Sequence, residues 1–167
     1  EGAHPIEGLP NAVRLETATA IETSEAFKAG EIEVQDAGSQ LIVAACAAQP
    51  GQTVVDLCAG AGGKTLALGA AMAAQGQLIA TDTNRDRLQR LAPRAERAGL
   101  GEVDTRLLNP GRETEALADL ADAADLVLVD APCSGSGTWR RNPEARWRIT
   151  PSRLEAVSAT QAHVLDL

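Results

Sequence analysis

From residue 53 onward the apolar positions alternate between two spacings. Short continuous runs occupy 53–57, 77–81, 103–108 and 126–129, too brief for helices and rich in Val, Ile and Leu. They read as buried strands. Between them, 64–74, 85–98 and 114–121 carry apolar residues at helical spacing. Strands alternating with helices of this length predict a parallel sheet, an α/β, Rossmann-like arrangement. Upstream, 33–48 reads as a helix that turns Leu41, Ile42, Ala45 and Cys46 inward and stops at Pro50-Gly51. Residues 1–30, with Pro5, Pro10 and scattered Thr and Glu, have no clear period. They predict an irregular or hairpin lead-in, with a possible short strand at 13–16, before an α/β domain over 31–167. A last helix is expected after Thr150-Pro151-Ser152, with Ser152 as its N-cap.

Composition narrows the class. The chain has 167 residues, enough for one domain, and is 44% hydrophobic but only 2% aromatic, so its interior is built on alanine and aliphatic side chains. It holds no apolar run of membrane-spanning length and no signal-peptide pattern, so no membrane role is expected. Its three cysteines, Cys46, Cys58 and Cys133, lack paired CxxC spacing. That pattern suits a reducing, cytoplasmic setting and argues against a disulfide framework or a bound metal. With His4 and His163 as its only histidines, the chain has little material for a histidine triad. It starts at Glu1 rather than Met and stops at Leu167 inside a predicted helix, so a fragment lacking its later strands is expected.

Two glycine-rich loops carry the candidate chemistry. The first, Cys58-Ala-Gly-Ala-Gly-Gly-Lys64, joins a strand to a helix. A phosphate-binding P-loop would need Gly where Cys58 stands, and a dinucleotide site would need a third glycine where Thr65 stands. S-adenosylmethionine (AdoMet) needs only a loop against its methionine part and an acid for its ribose. Asp82 ends the next strand, where an acid suits a ribose diol in either the nicotinamide or the AdoMet reading. The second loop, Asp130-Ala-Pro-Cys-Ser-Gly-Ser-Gly-Thr138, follows the fourth strand, at a sheet edge where open α/β sheets bind ligands. Together the loops favour AdoMet.

The net charge of -8 is awkward for a nucleic-acid enzyme. Its distribution matters more: Arg140, Arg141, Arg146, Arg148 and Arg153 face only Glu144 between residues 139 and 153. This local basic stretch directly follows the cysteine loop and makes Arg140, Arg141, Arg146 and Arg148 candidate RNA contacts. Trp139 and Trp147 lie in the same stretch, where packing explains a tryptophan as well as base stacking does.

Three segments in order, Gln35–Gln40 (QDAGSQ), Asp56–Thr65 (DLCAGAGGKT) and Asp130–Thr138 (DAPCSGSGT), resemble the RNA cytosine-5 methyltransferases of the Sun/NOL1/NOP2 (RsmB-like) family. The run from Arg140 to Arg148 is similar too, and the likeness extends from about Val13 to the chain end. The resemblance implies a Rossmann-like AdoMet-dependent methyltransferase acting on RNA, ribosomal RNA first and transfer RNA as the alternative. It implies Asp82 as the ribose acid, with Cys58, Ala59, Gly60, Ala61, Gly62, Gly63, Lys64, Arg87, Asn109 and Asp130 counted with the cofactor contacts. Asn109 and Pro110 stand where the family usually carries an acid for the adenine amine. That departure keeps a catalytically silent AdoMet- or RNA-binding scaffold open.

The chemistry implied is specific. Cytosine C5 becomes nucleophilic only after a thiolate adds to C6, so the reaction needs an activated cysteine and a neighbouring acid. Asp130 and Cys133 are the candidate catalytic residues. An Asp-Ala-Pro-Cys stretch puts a thiol where amine methyltransferases commonly carry an aromatic residue, which points to carbon methylation. In the family resembled, the nucleophile comes from a Thr-Cys motif and the Pro-Cys cysteine assists release. These 167 residues contain no Thr-Cys pair. The nucleophile is therefore expected outside this sequence, and the chain alone should not turn over.

Overall fold

The computed structural model describes residues 2–16 and 20–167. The chain divides into two compact units, Glu1–Leu128 and Val129–Leu167. The first opens with an antiparallel hairpin, β1 (Ala3–Ile6) and β2 (Leu9–Leu15), that pairs Ala3 with Leu15. A single-turn helix, α1 (Glu25–Lys28), follows, and Ser24 caps it by accepting from the Phe27 amide at 3.2 Å. After a stretch without regular secondary structure over 32–36 come α2 (Ala37–Cys46), β3 (Thr53–Asp56), α3 (Gly63–Ala71), β4 (Gln77–Asp82), α4 (Arg85–Gln89), α5 (Leu91–Arg97), β5 (Asp104–Leu107), α6 (Glu113–Leu117) and β6 (Leu126–Leu128).

The four later strands form a parallel sheet in the order β5-β4-β3-β6. The chain runs outward from β3 through β4 to β5, then crosses back to place β6 on the other side of β3. Strand order thus reverses between β3 and β6, and the crevice beyond the carboxyl ends at such a point is where open α/β sheets take their ligands. Two apolar clusters hold the sheet to its helices. One gathers Val43, Ala48, Val54, Leu68, Met72 and Leu128; the other gathers Leu66, Ala80, Leu91 and Ala95. Helix α3 serves both, which anchors the helix that begins at the glycine loop.

Several helix expectations are corrected. The helix expected over 33–48 begins only at Ala37, because Asp36 is its N-cap, accepting from the Gly38 amide at 2.9 Å. It ends at Cys46, with Ala47 left-handed at φ +50°. Its inward face also differs: Val43 is buried, Leu41, Ile42 and Ala45 are exposed, and Cys46 is half-buried. The helix expected over 85–98 is two helices that meet at Arg90. Pro93 has no N–H to give the carbonyl of Gln89, so the ladder is interrupted there. The helix expected over 64–74 spans Gly63–Ala71, and Ala73 and Ala74 take positive φ after it. The one expected over 114–121 is α6 followed by a 3-10 turn, Ala118–Leu120. The hairpin strand at 13–16 is longer than expected, running Leu9–Leu15.

The second unit holds two 3-10 turns, Ser136–Thr138 and Pro143–Arg148, and a long helix, α7 (Pro151–Leu165). Thr150, not Ser152, caps α7, accepting from the Arg153 amide at 3.2 Å. With Pro151 at the first helical position, the cap falls one residue before it.

Candidate cofactor loop and cysteine loop

Strand β3 delivers the first loop. Its last residue, Asp56, is 1% exposed, and the buried Thr65 hydroxyl of α3 donates to its Oδ2 at 2.7 Å. This bond ties the two ends of the glycine loop together. Between them the backbone turns through left-handed glycines, with φ +58° at Gly60 and +86° at Gly62. The turn is laced by Gly62 N donating to Ala59 O and Ala59 N donating to Thr81 O, at 2.9 and 2.8 Å. At Gly62 a side chain would overlap Leu91, whereas at Gly60 a Cβ would meet nothing within 4 Å. The loop therefore packs its back on α5 and leaves the Gly60 side open.

Asp82 closes on this loop from the end of β4. Its Oδ2 accepts from the Gly60 amide at 2.9 Å and its Oδ1 from the Asn84 amide at 2.7 Å. Each carboxylate oxygen has a second lone-pair direction for a hydroxyl donor. Arg87 lies one turn further along α4, exposed, with its amide donating to the Asn84 side chain. Asn109 is exposed just beyond β5, where the Leu108 amide donates to Asp82 O at 3.0 Å. Cys58, Ala59, Gly60, Ala61, Gly63 and Lys64 are half-buried along the loop and at the start of α3, and Gly62 is buried. An acid at a strand end, an open glycine and no P-loop pattern suit a neutral ribose and an amino-acid moiety better than a diphosphate.

Two contacts to the loop have no local sequence signal. Gln35 belongs to the irregular stretch before α2, and its side-chain amide donates to Gly63 O at 2.9 Å. Arg94 of α5 donates to Ala61 O. Sequence reading met Gln35 only within the QDAGSQ segment and the helix expected over 33–48, and missed Arg94, which lies 33 residues from its acceptor.

In the second unit, Asp130, Pro132 and Cys133 are exposed. The Gln161 side chain of α7 donates to Pro132 O at 2.9 Å, holding the residue before Cys133. Arg140, Arg141, Arg146 and Arg148 are all exposed. Trp147 is 77% exposed, and the Arg146 guanidinium lies 4.6 Å from its ring centroid. Of the other cysteines, Cys46 has its thiol pKa pushed up by burial and by the nearby Asp56 charge. Among the described residues no group of three His, Cys, Asp or Glu is placed to hold a metal ion, and no helix is long and apolar enough to cross a membrane.

A family profile described as 16S rRNA methyltransferase RsmB/F matches residues 43–167. Probable ribosomal RNA small subunit methyltransferase B from Synechocystis is 39% identical over 162 residues, covering 95% of this chain and 35% of its own length. Ribosomal RNA small subunit methyltransferase B from Salmonella arizonae is 35% identical, covering 98% and 37%. The chain thus spans about a third of the length of these relatives. Among solved structures, PH0851 superposes with a TM-score of 0.89 at 33% identity, over 98% of this chain and 37% of that one. NSun6 from Pyrococcus horikoshii, solved with SFG, superposes at 0.62 and 25% identity over 74% and 32%. The sheet is a Rossmann-like methyltransferase sheet, and the chain belongs to the 16S rRNA methyltransferase RsmB/F family.

Proposed function

We propose that this chain carries the AdoMet-binding part of an RNA cytosine-5 methyltransferase that acts on ribosomal RNA. The observation that carries the reading is the Asp82 carboxylate bonded to the Gly60 amide at 2.9 Å. It sets an acid for ribose hydroxyls against a glycine loop whose open side admits the methionine part. Family membership supplies the RNA, and the exposed arginines from Arg140 to Arg148 supply the charge to meet its phosphates. That NSun6 was solved with SFG supports an AdoMet-like ligand.

When bound, AdoMet supplies an electrophilic methyl group. In this reading Asp82 would hold the ribose, the backbone over 58–63 would meet the methionine part, and Lys64 and Arg87 would join the cofactor contacts. Asn109 offers its side-chain oxygen to the adenine amine. Asp130 accepts a hydrogen bond from the target base as charge develops. Thiolate addition to C6 of the cytosine would make C5 a nucleophile for that methyl, whose bond to sulfur would break as S-adenosylhomocysteine leaves, and a base would take the C5 proton as the thiolate departs. We assign Cys133 to that release and place the nucleophile on a cysteine outside these 167 residues, since the chain has no Thr-Cys pair.

The test uses the longest natural polypeptide containing this chain, with AdoMet and unmodified ribosomal RNA. It compares 5-methylcytosine formation and protein–RNA adducts on a denaturing gel for Cys133 and Cys133→Ala. Methylation by the parent with adduct accumulation in the variant is expected. A variant that forms neither adduct nor product would make Cys133 the nucleophile, and a parent that methylates no cytosine would sink the reading.

A further inference from the structure

Beyond the bond from Gly62 N to Ala59 O, the glycine loop has little of its own to hold it. From Ala59 to Gly63 it has no side chain larger than a methyl group, and Gly60 and Gly62 both sit at positive φ. Its shape depends on groups that reach into it from other elements. Asp82 reaches Gly60 N, Gln35 reaches Gly63 O, and Arg94 reaches Ala61 O at the middle of the turn.

Arg94 is itself held. Its Nη2 lies 3.4 Å from Glu33 Oε1, and Glu33 Oε2 is paired with Arg97 Nη2. Arg97 donates from Nη1 to Phe27 O at 2.9 Å, and its guanidinium lies 3.7 Å from the Phe27 ring centroid. The three charged side chains are only 19–26% exposed, so they are shielded from much of the screening that weakens surface pairs. The contacts run without a gap from Phe27 of α1, through Arg97, Glu33 and Arg94, to the loop carbonyl.

We propose that Arg94 is a positioning residue that pre-shapes the glycine loop for its cofactor, with Glu33 and Arg97 orienting it. The proposal rests on the AdoMet reading above for the ligand's identity, though not for the bracing itself. Arginine suits the task because one planar fork can serve a carbonyl and a carboxylate together; a lysine offers a single ammonium. Losing the bond removes no atom from the open side of the loop. It leaves the loop to sample other shapes and makes binding carry the ordering cost. A hydrogen bond from a charged donor corresponds to roughly a ten- to hundredfold change in equilibrium. Because Asp82 and Gln35 remain, the lower end of that range is expected.

The test compares the longest natural polypeptide containing this chain with its Arg94→Ala, Arg94→Lys and Glu33→Gln variants. Arg90→Ala is the charge-matched control, since Arg90 is exposed on the adjoining turn. Amide hydrogen exchange in the ligand-free proteins reads loop order, and calorimetric titration with AdoMet reads affinity. Arg94→Ala should speed exchange over 59–64 about tenfold while β3 and β4 exchange as before, and should weaken AdoMet by a similar factor. Arg94→Lys and Glu33→Gln should fall between, and Arg90→Ala should match the parent. Unchanged loop exchange in Arg94→Ala overturns the proposal, as does faster exchange across the whole sheet, which would mark general destabilisation. Unchanged affinity despite a loosened loop overturns it too. If the parent binds no AdoMet, the cofactor reading fails, and the exchange data still decide whether Arg94 holds the loop.

Discussion

Gly60 and Gly62 share a loop and a left-handed backbone, yet alanine at the two positions should have different consequences. At Gly62 the new methyl would overlap the Leu91 side chain, whose Cγ lies 3.1 Å from the Cβ position. Leu91 is 0% exposed and sits in an apolar cluster with Leu66, Ala80 and Ala95, so it has nowhere to swing. A left-handed non-glycine residue costs roughly 1–2 kcal/mol, and overpacking a core adds about 1–3 kcal/mol. Gly62→Ala should therefore cost about 2–5 kcal/mol. At Gly60 nothing lies within 4 Å of the Cβ position, so only the backbone cost of roughly 1–2 kcal/mol remains. Urea unfolding followed by far-UV circular dichroism measures the difference. Tryptophan fluorescence is the wrong probe, because Trp139 and Trp147 both lie in the second unit. With a urea slope of about 2 kcal/mol per molar, the Gly62→Ala midpoint should fall by about 1–2.5 M and the Gly60→Ala midpoint by less than about 1 M. In the cofactor reading Gly60→Ala should nonetheless weaken AdoMet, since its methyl enters the open side of the loop. Equal midpoints for the two variants would refute the packing argument.

Two further outcomes follow from the charges and thiols. Arg106 bonds Asp119 from both terminal nitrogens and holds the Asp119 carboxyl below the usual carboxylate range. A depressed carboxylate stabilises the fold above its unfolded pKa of about 3.9, and that stability is lost as pH falls through the lower folded value. Asp119→Asn should therefore flatten the loss of melting temperature below about pH 4, and an unchanged acid limb in thermal scans would refute the linkage. The Cys46 thiol, pushed up by burial and by Asp56, should stay protonated in mildly alkaline buffer, whereas Cys133 is exposed. Mass-resolved alkylation near pH 8 should label Cys133 well before Cys46; the reverse order would contradict the packing of α2.

The parallel sheet, its four strands and the places of both glycine-rich loops were legible in the residues themselves. Short aliphatic runs bounded by glycine and acidic residues encode strand ends, and Asp56 and Asp82 are the last residues of two of those strands. Such signals are local: they depend on a repeat of two or 3.6 residues, or on one turn residue. Tertiary structure decided the rest. Residues 32–36 are irregular rather than helical, with Gln35 reaching Gly63 across 28 positions and Asp36 capping the helix. Which face α2 buries was settled by what packs against it: Val43 joins Val54, Leu68 and Met72, leaving Leu41 and Ile42 outside. The brace from Arg94 to Ala61 spans 33 positions and uses a backbone carbonyl, a group that every residue carries. No periodicity or motif announces such a bond, because it exists only once helix and loop have been brought together by the sheet between them.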